Sequence, residues 1–228
     1  MLVLTKNEEA NIGPCLEGLS FSDDIVVLDS GSTDRTLEIA RTYPNVRVER
    51  RDWDTEYKQR NFGLEGIVYK NRWVYICDAD ERVDDELRAE ILRIAADETA
   101  PHAAYRVRYK NMFMGRWIRR SSGYPVWIIR LVRPEKVRYE VRETNVHPIV
   151  AGTVGELSGH FIHYSFNAGL RRWFEKHNYY SDREAREAVL LRRRAGVALG
   201  DLFAGDPMRR RRAFKNVSFR LRGRFFLR

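Results

Sequence analysis

The sequence predicts an α/β fold, a mostly parallel sheet flanked by helices, and three observations lead there. Through the first hundred residues, apolar or β-branched runs alternate with segments whose apolar residues recur at helical spacing. One run, Trp73–Cys77 (WVYIC), is apolar without interruption, as a strand buried on both faces should be. The connections between runs are short, which favours a doubly wound arrangement of strands and covering helices.

Taken in order, Met1–Thr5 reads as a first strand, and Ala10–Leu19 as a helix with Ile12, Leu16 and Leu19 on one face. Ile25–Leu28 (IVVL) is a β-branched strand bounded by Asp24 and Asp29. Leu37–Ala40 continues a helix whose start is signalled by Ser32, Thr33 and Asp34, all good capping types. Val46–Val48 is a third strand, and Glu56–Tyr69 a helix weakened by Gly63 and Gly66. After Trp73–Cys77, Asp84–Ala96 places Leu87, Ile91, Leu92 and Ala95 at helical spacing. Beyond Pro101 the pattern changes. Ala104–Tyr109 and Trp127–Val132 read as strands, and a further strand pair is expected between Val146 and His163. Asn167–Leu191 is expected to form a long helix with Leu170, Trp173, Phe174 and His177 on one face.

Composition narrows the function classes. With 43% apolar and 32% charged residues in 228, the chain is not wholly disordered. Its two cysteines, Cys15 and Cys77, cannot build a disulfide framework and are expected to be reduced core thiols. The longest uncharged stretch, Leu157 to Leu170, is too short and too polar to span a bilayer, and no secretory signal is read at the N-terminus. The net charge of +9 is unevenly spread: residues 1–100 carry 13 basic against 22 acidic side chains, and residues 101–228 carry 28 against 10. The second half therefore predicts a polyanionic partner.

Ligands of open parallel sheets bind beyond the carboxyl ends of the strands. Three segments fall there: Thr5-Lys6-Asn7-Glu8-Glu9, Asp29-Ser30-Gly31-Ser32-Thr33-Asp34, and Asp78-Ala79-Asp80-Glu81-Arg82. Asp29 is placed to accept hydrogen bonds from a base or ribose. In extended chain Asp78 and Asp80 would point the same way, and hard cations such as Mg2+ or Mn2+ take one or two carboxylates plus substrate phosphates. The D-x-D spacing alone says little, since Asp52-Trp53-Asp54 has it too. Only Asp78 and Asp80 close a buried strand.

Together, TKNEEANI, IVVLDSGSTDRT, KQRNFGL and WVYICDADERV resemble the donor half of family 2 glycosyltransferases with the GT-A fold. The chain is most similar to the cytoplasmic bacterial branch that adds hexoses to the lipopolysaccharide core. That branch has a W-x-x-R-L-x-R strand, matched by Trp127, Arg130, Leu131 and Arg133, and an I-x-H-Y-S segment, matched by Ile162 to Ser165. Its K-x-N-x-Y-S helix is matched from Lys176 to Ser181.

The resemblance implies that residues 1–100 form the nucleotide-sugar half, 101–166 the acceptor-side half of the same domain, and 167–228 a helical, membrane-proximal segment. It implies donor binding by Thr5, Glu8, Asp29, Arg60, Asp78, Ala79, Asp80, Arg82 and Arg130, and a Mn2+ or Mg2+ ion on Asp80 and Asp78, with His163 as a further ligand. The donor would be a nucleotide diphosphate sugar, UDP first among the nucleotides. Such enzymes invert the anomeric centre by direct displacement, with a carboxylate deprotonating the acceptor hydroxyl.

The catalytic base is where this sequence departs from the branch, whose V-H-E element here reads Val146-His147-Pro148. Glu143, Glu140 and His147 are the remaining candidates, with Glu143 preferred. A phosphate acceptor, already ionised, would need no base, which keeps a polyprenyl-phosphate acceptor beside a glycan or lipid-linked one. The basic, Phe-rich residues 208–228 suit an anionic membrane surface at the inner face of the cytoplasmic membrane. The same composition suits nucleic acid, but the acidic first half would repel it and no RNA-binding motif appears. A nucleotidyltransferase would carry a Gly-rich basic loop where TKNEE stands, and a non-catalytic relative is the remaining alternative.

Overall fold

A computed structural model of the chain describes residues 1–120, 123–142, 145–193, 199–203, 210, 213–214 and 217. It separates into two compact units, Met1–Lys176 and His177–Arg228. The first unit opens with alternating strands and helices: β1 (Leu2–Thr5), α1 (Ile12–Gly18), β2 (Ile25–Asp29), α2 (Thr36–Ala40), β3 (Val46–Arg50), α3 (Glu56–Glu65), β4 (Val74–Asp78), β5 (Glu81–Val83) and α4 (Asp85–Ala96). It continues with β6 (Ala104–Phe113), β7 (Arg116–Trp117), β8 (Trp127–Val132), β9 (Val137–Tyr139), β10 (Pro148–Val150) and β11 (Val154–His163). Helix α5 (Leu170–Arg193) runs from this unit into the second, which also contains a short 3-10 turn at Leu199–Phe203.

The main sheet has the order β3-β2-β1-β4-β8-β6-β11-β5, with β7 paired to β6. The four strands β3, β2, β1 and β4 are parallel, as the alternating pattern predicts. Beyond them the sheet is mixed: β8 runs antiparallel to both β4 and β6, β11 parallel to β6, and β5 antiparallel to β11. One face packs Ile12, Leu16, Leu19, Leu87, Ile91 and Ile94 of α1 and α4 against Val27, Tyr75 and Phe161. The opposite face packs Leu64 and Ile67 against Leu2, Val26 and Ile76.

Several expectations are corrected. Helix α3 stops at Glu65 instead of Tyr69, because Gly66 takes the C-cap and the Tyr69 hydroxyl donates to the Gly63 carbonyl at 2.6 Å. Val146–His163 does contain two strands, but they do not pair with each other: β10 joins β9 in a separate two-stranded sheet, and β11 enters the main one. Strand β6 runs four residues past Tyr109. On α5, Leu170 and Phe174 are about half exposed.

A bulge in β11 shifts its register against β6 between Glu156 and His160. Helix α4 secures that bulge. Glu90 accepts from the Ser158 and Gly159 amides at 2.9–3.0 Å, and the N-cap Asp84 accepts from both Leu87 and His160 amides. A Cβ on Gly159 would stand 2.3 Å from the Leu87 nitrogen, so only glycine permits this approach. The effect is to hold the end of β11, and with it His163, against β5.

Candidate functional site

Register places two of the predicted residues in one row and a third one step off it. Thr5 pairs with Asp29 across β1 and β2, and on the other side Leu4 pairs with Asp78 across β1 and β4. Neighbouring strands lie ~4.8 Å apart, so Thr5 and Asp29 stand side by side at the ends of β1 and β2, while Asp78, level with Leu4, ends β4 one residue out of step with them. The Thr5 hydroxyl is buried with no hydrogen-bond partner among the described residues.

The loops leaving this row are stitched together. Asn7, at φ +55°, donates its amide to Ser32 Oγ at 2.8 Å and accepts from the Thr33 amide at 2.7 Å. The Glu8 amide donates to Thr36 Oγ1 and the Glu9 amide to Asp34 Oδ2. Asp34 also accepts from the Thr36 amide at 3.0 Å, but the N-cap of α2 is Arg35 with no side-chain cap bond, so Ser32, Thr33 and Asp34 tie the two loops together and do not cap the helix as expected. Asp29, fully buried, spends its carboxylate on its own turn: it accepts from the Gly31 amide at 3.0 Å and from the Ser32 amide and hydroxyl. Its place at the site is therefore that of a loop organiser as much as a ligand group.

Beside the row lies a buried set of charges. One Arg130 nitrogen donates to Asp78 Oδ2 at 2.9 Å and to the Glu81 carboxylate, and Arg60 approaches Asp78 Oδ1 at 3.6 Å. The Asp78 amide in turn donates to Glu81 Oε2. Burial alone would raise the Asp78 carboxyl, but Arg130 and Arg60 hold it well below the usual carboxylate range. For Glu81, burial prevails over the Arg130 charge and pushes the carboxyl up. Arg60 also pairs with Glu56 and lies over the Tyr139 ring. The sequence pattern joins Arg60, Asp78 and Arg130 correctly to one locality, but Glu81 went unassigned. Its signal was a third carboxylate in the short segment that follows a buried strand.

Asp80 points to a different partner. Its Oδ2 lies 3.3 Å from His163 Nε2, and the Tyr164 amide donates to the Asp80 carbonyl at 2.8 Å. Burial opposes charge on both side chains, yet their contact wins: the Asp80 carboxyl is lowered and the His163 imidazole raised. Ala79 and Asp80 form a turn, so the alternation of an extended chain does not govern the two aspartates. Asp80 and His163 are the carboxylate and imidazole that could together hold a divalent cation such as Mn2+, once the imidazole has lost its proton. Asp78 is already engaged by two arginines. Among the described residues no group of three or more His, Cys, Asp or Glu gathers as a metal cluster.

Arg82 is committed to bracing: it donates to the carbonyls of Ala79, Glu81 and Asn11 and lies over Tyr164. Ala79 is buried in the core. Arg133 donates to the Ala100 carbonyl and covers Trp73, a packing role. Glu8 accepts from Asn11 at 2.8 Å, and burial raises its carboxyl. Its other oxygen accepts from Arg172, which also donates to the Lys6 carbonyl. Sequence reasoning missed Arg172; the acidic loop it neutralises was the available signal.

Of the candidate bases, Glu143 lies outside the described residues, as do residues 218–228 and most of 208–217. Glu140 and His147 face each other at the mouth of the β9–β10 hairpin, the Glu140 amide donating to the His147 carbonyl at 3.1 Å. Glu140 follows Tyr139, on which Arg60 rests, so this mouth adjoins the charged set.

The family model described as "Glycosyl transferase family 2" matches residues 1–177. A lipopolysaccharide core biosynthesis glycosyltransferase, LpsC of Rhizobium meliloti, is 31% identical over 71% of this chain. An uncharacterized glycosyltransferase of Rickettsia typhi, RT0209, is 29% identical over 82%. The chain spans 61% and 66% of the length of these two relatives. Among solved structures, S. aureus TarS 1–349 superposes with a TM-score of 0.55 at 16% identity, covering 96% of this chain and 69% of that one. The same protein in complex with UDP-GlcNAc gives 0.52 at 17% identity, covering 72% of this chain and 58% of that one. These likenesses show the fold, which is GT-A.

Proposed function

We propose that the chain, which belongs to glycosyl transferase family 2, moves a hexose from a nucleoside diphosphate sugar to a cell-envelope glycan or lipid-linked acceptor, inverting the anomeric centre. One observation carries this reading: Asp29, Thr5 and Asp78 stand at the carboxyl ends of three adjacent parallel strands, and Asp80, two residues beyond Asp78, is paired with His163. The unpartnered Thr5 hydroxyl and the clasped loops after β1 and β2 suit the nucleoside. Arg60 and Arg130 hold Asp78 ionised and shaped, and both bring positive charge to the edge where a diphosphate would lie. Asp80 and His163 would hold the divalent cation. When bound, that cation would supply charge neutralisation for the departing nucleoside diphosphate.

For a hydroxyl acceptor, the segment from Glu140 to His147 supplies the base, with Glu140, Glu143 and His147 as its titratable groups. An ionised phosphate acceptor would need none of them. UDP is the expected nucleotide, and a lipopolysaccharide core glycan the expected acceptor, in line with the name of the Rhizobium relative. No helix among the described residues is long and apolar enough to cross a membrane. The place of work proposed is the inner face of the cytoplasmic membrane, reached peripherally, with the basic residues 208–228 contributing.

Calorimetric titration of the chain with UDP, GDP, CDP and ADP, each with and without Mn2+, tests the reading, repeated on Asp80→Ala. Metal-dependent binding of one diphosphate, lost in the variant, is the expected result. No binding by any nucleotide would overturn it.

A further inference from the structure

One end of the main sheet carries an aromatic cluster with exposed apolar side chains next to it in sequence. At the tip of the β6–β7 hairpin Met114 is 86% exposed, at φ +48°, followed by Gly115 at +74°. The neighbouring Phe113 ring meets Phe166 at 4.8 Å, and Phe166 stacks on Trp173 at 5.3 Å. From that aromatic base Leu170 and Phe174 project, 49% and 58% exposed. Single exposed apolar residues are ordinary, whereas a connected group marks a contact surface.

The rim is cationic. Arg116, Arg119 and Arg120 are exposed on the strand and loop just past the tip, and among the described residues no ion pair holds any of them. Arg171 beside Leu170 is paired with Glu175. An apolar tip ringed by guanidinium groups matches an anionic bilayer: the tip enters the boundary below the headgroups while the arginines meet lipid phosphates.

We propose that the β6–β7 hairpin tip and the first turn of α5 form the surface by which this chain rests on an anionic lipid bilayer. A second copy of the chain is a poorer occupant, because a two-fold contact would set one arginine rim against the other. Nucleic acid is also poorer. Base stacking needs open aromatic faces, yet the most exposed side chain is a methionine and Arg119 already covers Trp117 at 4.7 Å. The surface begins at Phe166, three residues after His163, so a lipid-anchored acceptor would meet the site from the membrane side. That consequence rests on the glycosyltransferase reading above; the membrane contact does not.

The test is co-sedimentation of the full chain with sucrose-loaded vesicles of phosphatidylglycerol and phosphatidylethanolamine, and with vesicles of phosphatidylcholine alone. Met114→Asp and the charge reversal Arg119→Glu/Arg120→Glu are compared with the unaltered chain, and UDP titration is run on all three. The expected result is preference for the anionic vesicles and about a tenfold loss of partitioning in each variant, the order expected for one buried side chain or a pair of interfacial cations. Equal binding to phosphatidylcholine overturns the proposal. So does unchanged partitioning in both variants, tighter binding to a single-stranded RNA oligonucleotide, or a loss that light scattering traces to a dissociating dimer. Nucleotide binding is read separately, so failure of the donor site and failure of the membrane contact give different results.

Discussion

Arg130 Nη2 lies 2.9 Å from Asp78 Oδ2 and at the same time against the Glu81 carboxylate, so one guanidinium nitrogen serves two acids at the end of β4. Arg130 and Glu81 are 4% and 2% exposed. A buried pair is weak evidence for net stability, but breaking it leaves an uncompensated charge. Arg130→Met is therefore expected to lower the unfolding free energy by ~3–5 kcal/mol at pH 7, measured by urea denaturation. Arg130→Met/Glu81→Leu should recover part of that loss. A single variant within 1 kcal/mol of the unaltered chain would show that these acids are not held as described.

The contact between Asp80 and His163 makes a signed prediction about pH. The imidazole is raised above its ordinary 6.5, so its contribution to stability is complete below 6.5 and disappears as pH rises through the folded-state value. The carboxyl is lowered below its ordinary 3.8, so its contribution is complete above 3.8 and disappears as pH falls through its folded-state value. The stability difference between the chain and His163→Asn should then be largest from about pH 4 to 6.5 and shrink above it. Cation binding runs the other way, strengthening as His163 loses its proton. Denaturation curves across pH 4 to 8.5 check the first claim, and Mn2+ titration at pH 6 and 8 the second.

The parallel half of the fold was legible because β1, β2 and β4 are buried on both faces and announce themselves as apolar runs, while the edge strand β3 shows the alternation of a half-buried one. The mixed half was less so. Strand β5 is three residues long, two of them charged, and Glu81 is buried only because Arg130 reaches it from β8. No local pattern encodes that pairing. Strands β10 and β11 were both visible, but their partners are set by tertiary contacts: β10 folds back on β9, while β11 is held at its bulge by Glu90 and Asp84 of the preceding helix. The site was legible where residues follow strand ends, as with Thr5, Asp29 and Asp78. It was not legible at Arg172, which reaches Glu8 across 164 positions of sequence.

Gly159 offers a steric test of the contact that positions His163. A methyl group there would sit 2.3 Å from the Leu87 nitrogen and 2.6 Å from its Cα, and backbone cannot yield as a side-chain end can. Gly159→Ala is expected to cost at least the ~1–3 kcal/mol of a typical overpacked site. Gly18, in α1 with nothing within 4 Å of its Cβ position, provides the contrast. Gly18→Ala should be neutral or stabilising by roughly 0.5–1 kcal/mol, since alanine loses less backbone entropy in a helix. Thermal melts of the two variants should move in opposite directions.

Cys15 and Cys77 are the two cysteines of the chain. Their sulfur atoms are 3.8 Å apart, and both residues are at most 1% exposed, between α1 and β4. The hydrogen bond to Cys15, together with burial, raises the Cys77 thiol well above its ordinary value. Reaction with a disulfide reagent needs a thiolate and an open approach; burial denies the approach to both cysteines, and Cys77 is also held as the thiol. Ellman titration at pH 8 is therefore expected to find no fast-reacting thiol in the native protein and two after denaturation. Rapid modification of one thiol in the native state would mean that α1 lifts from the sheet. Because α1 follows directly on the loop that carries Glu8, such opening would also loosen the clasp between that loop and the Ser32–Thr36 turn, and nucleotide affinity would fall with it.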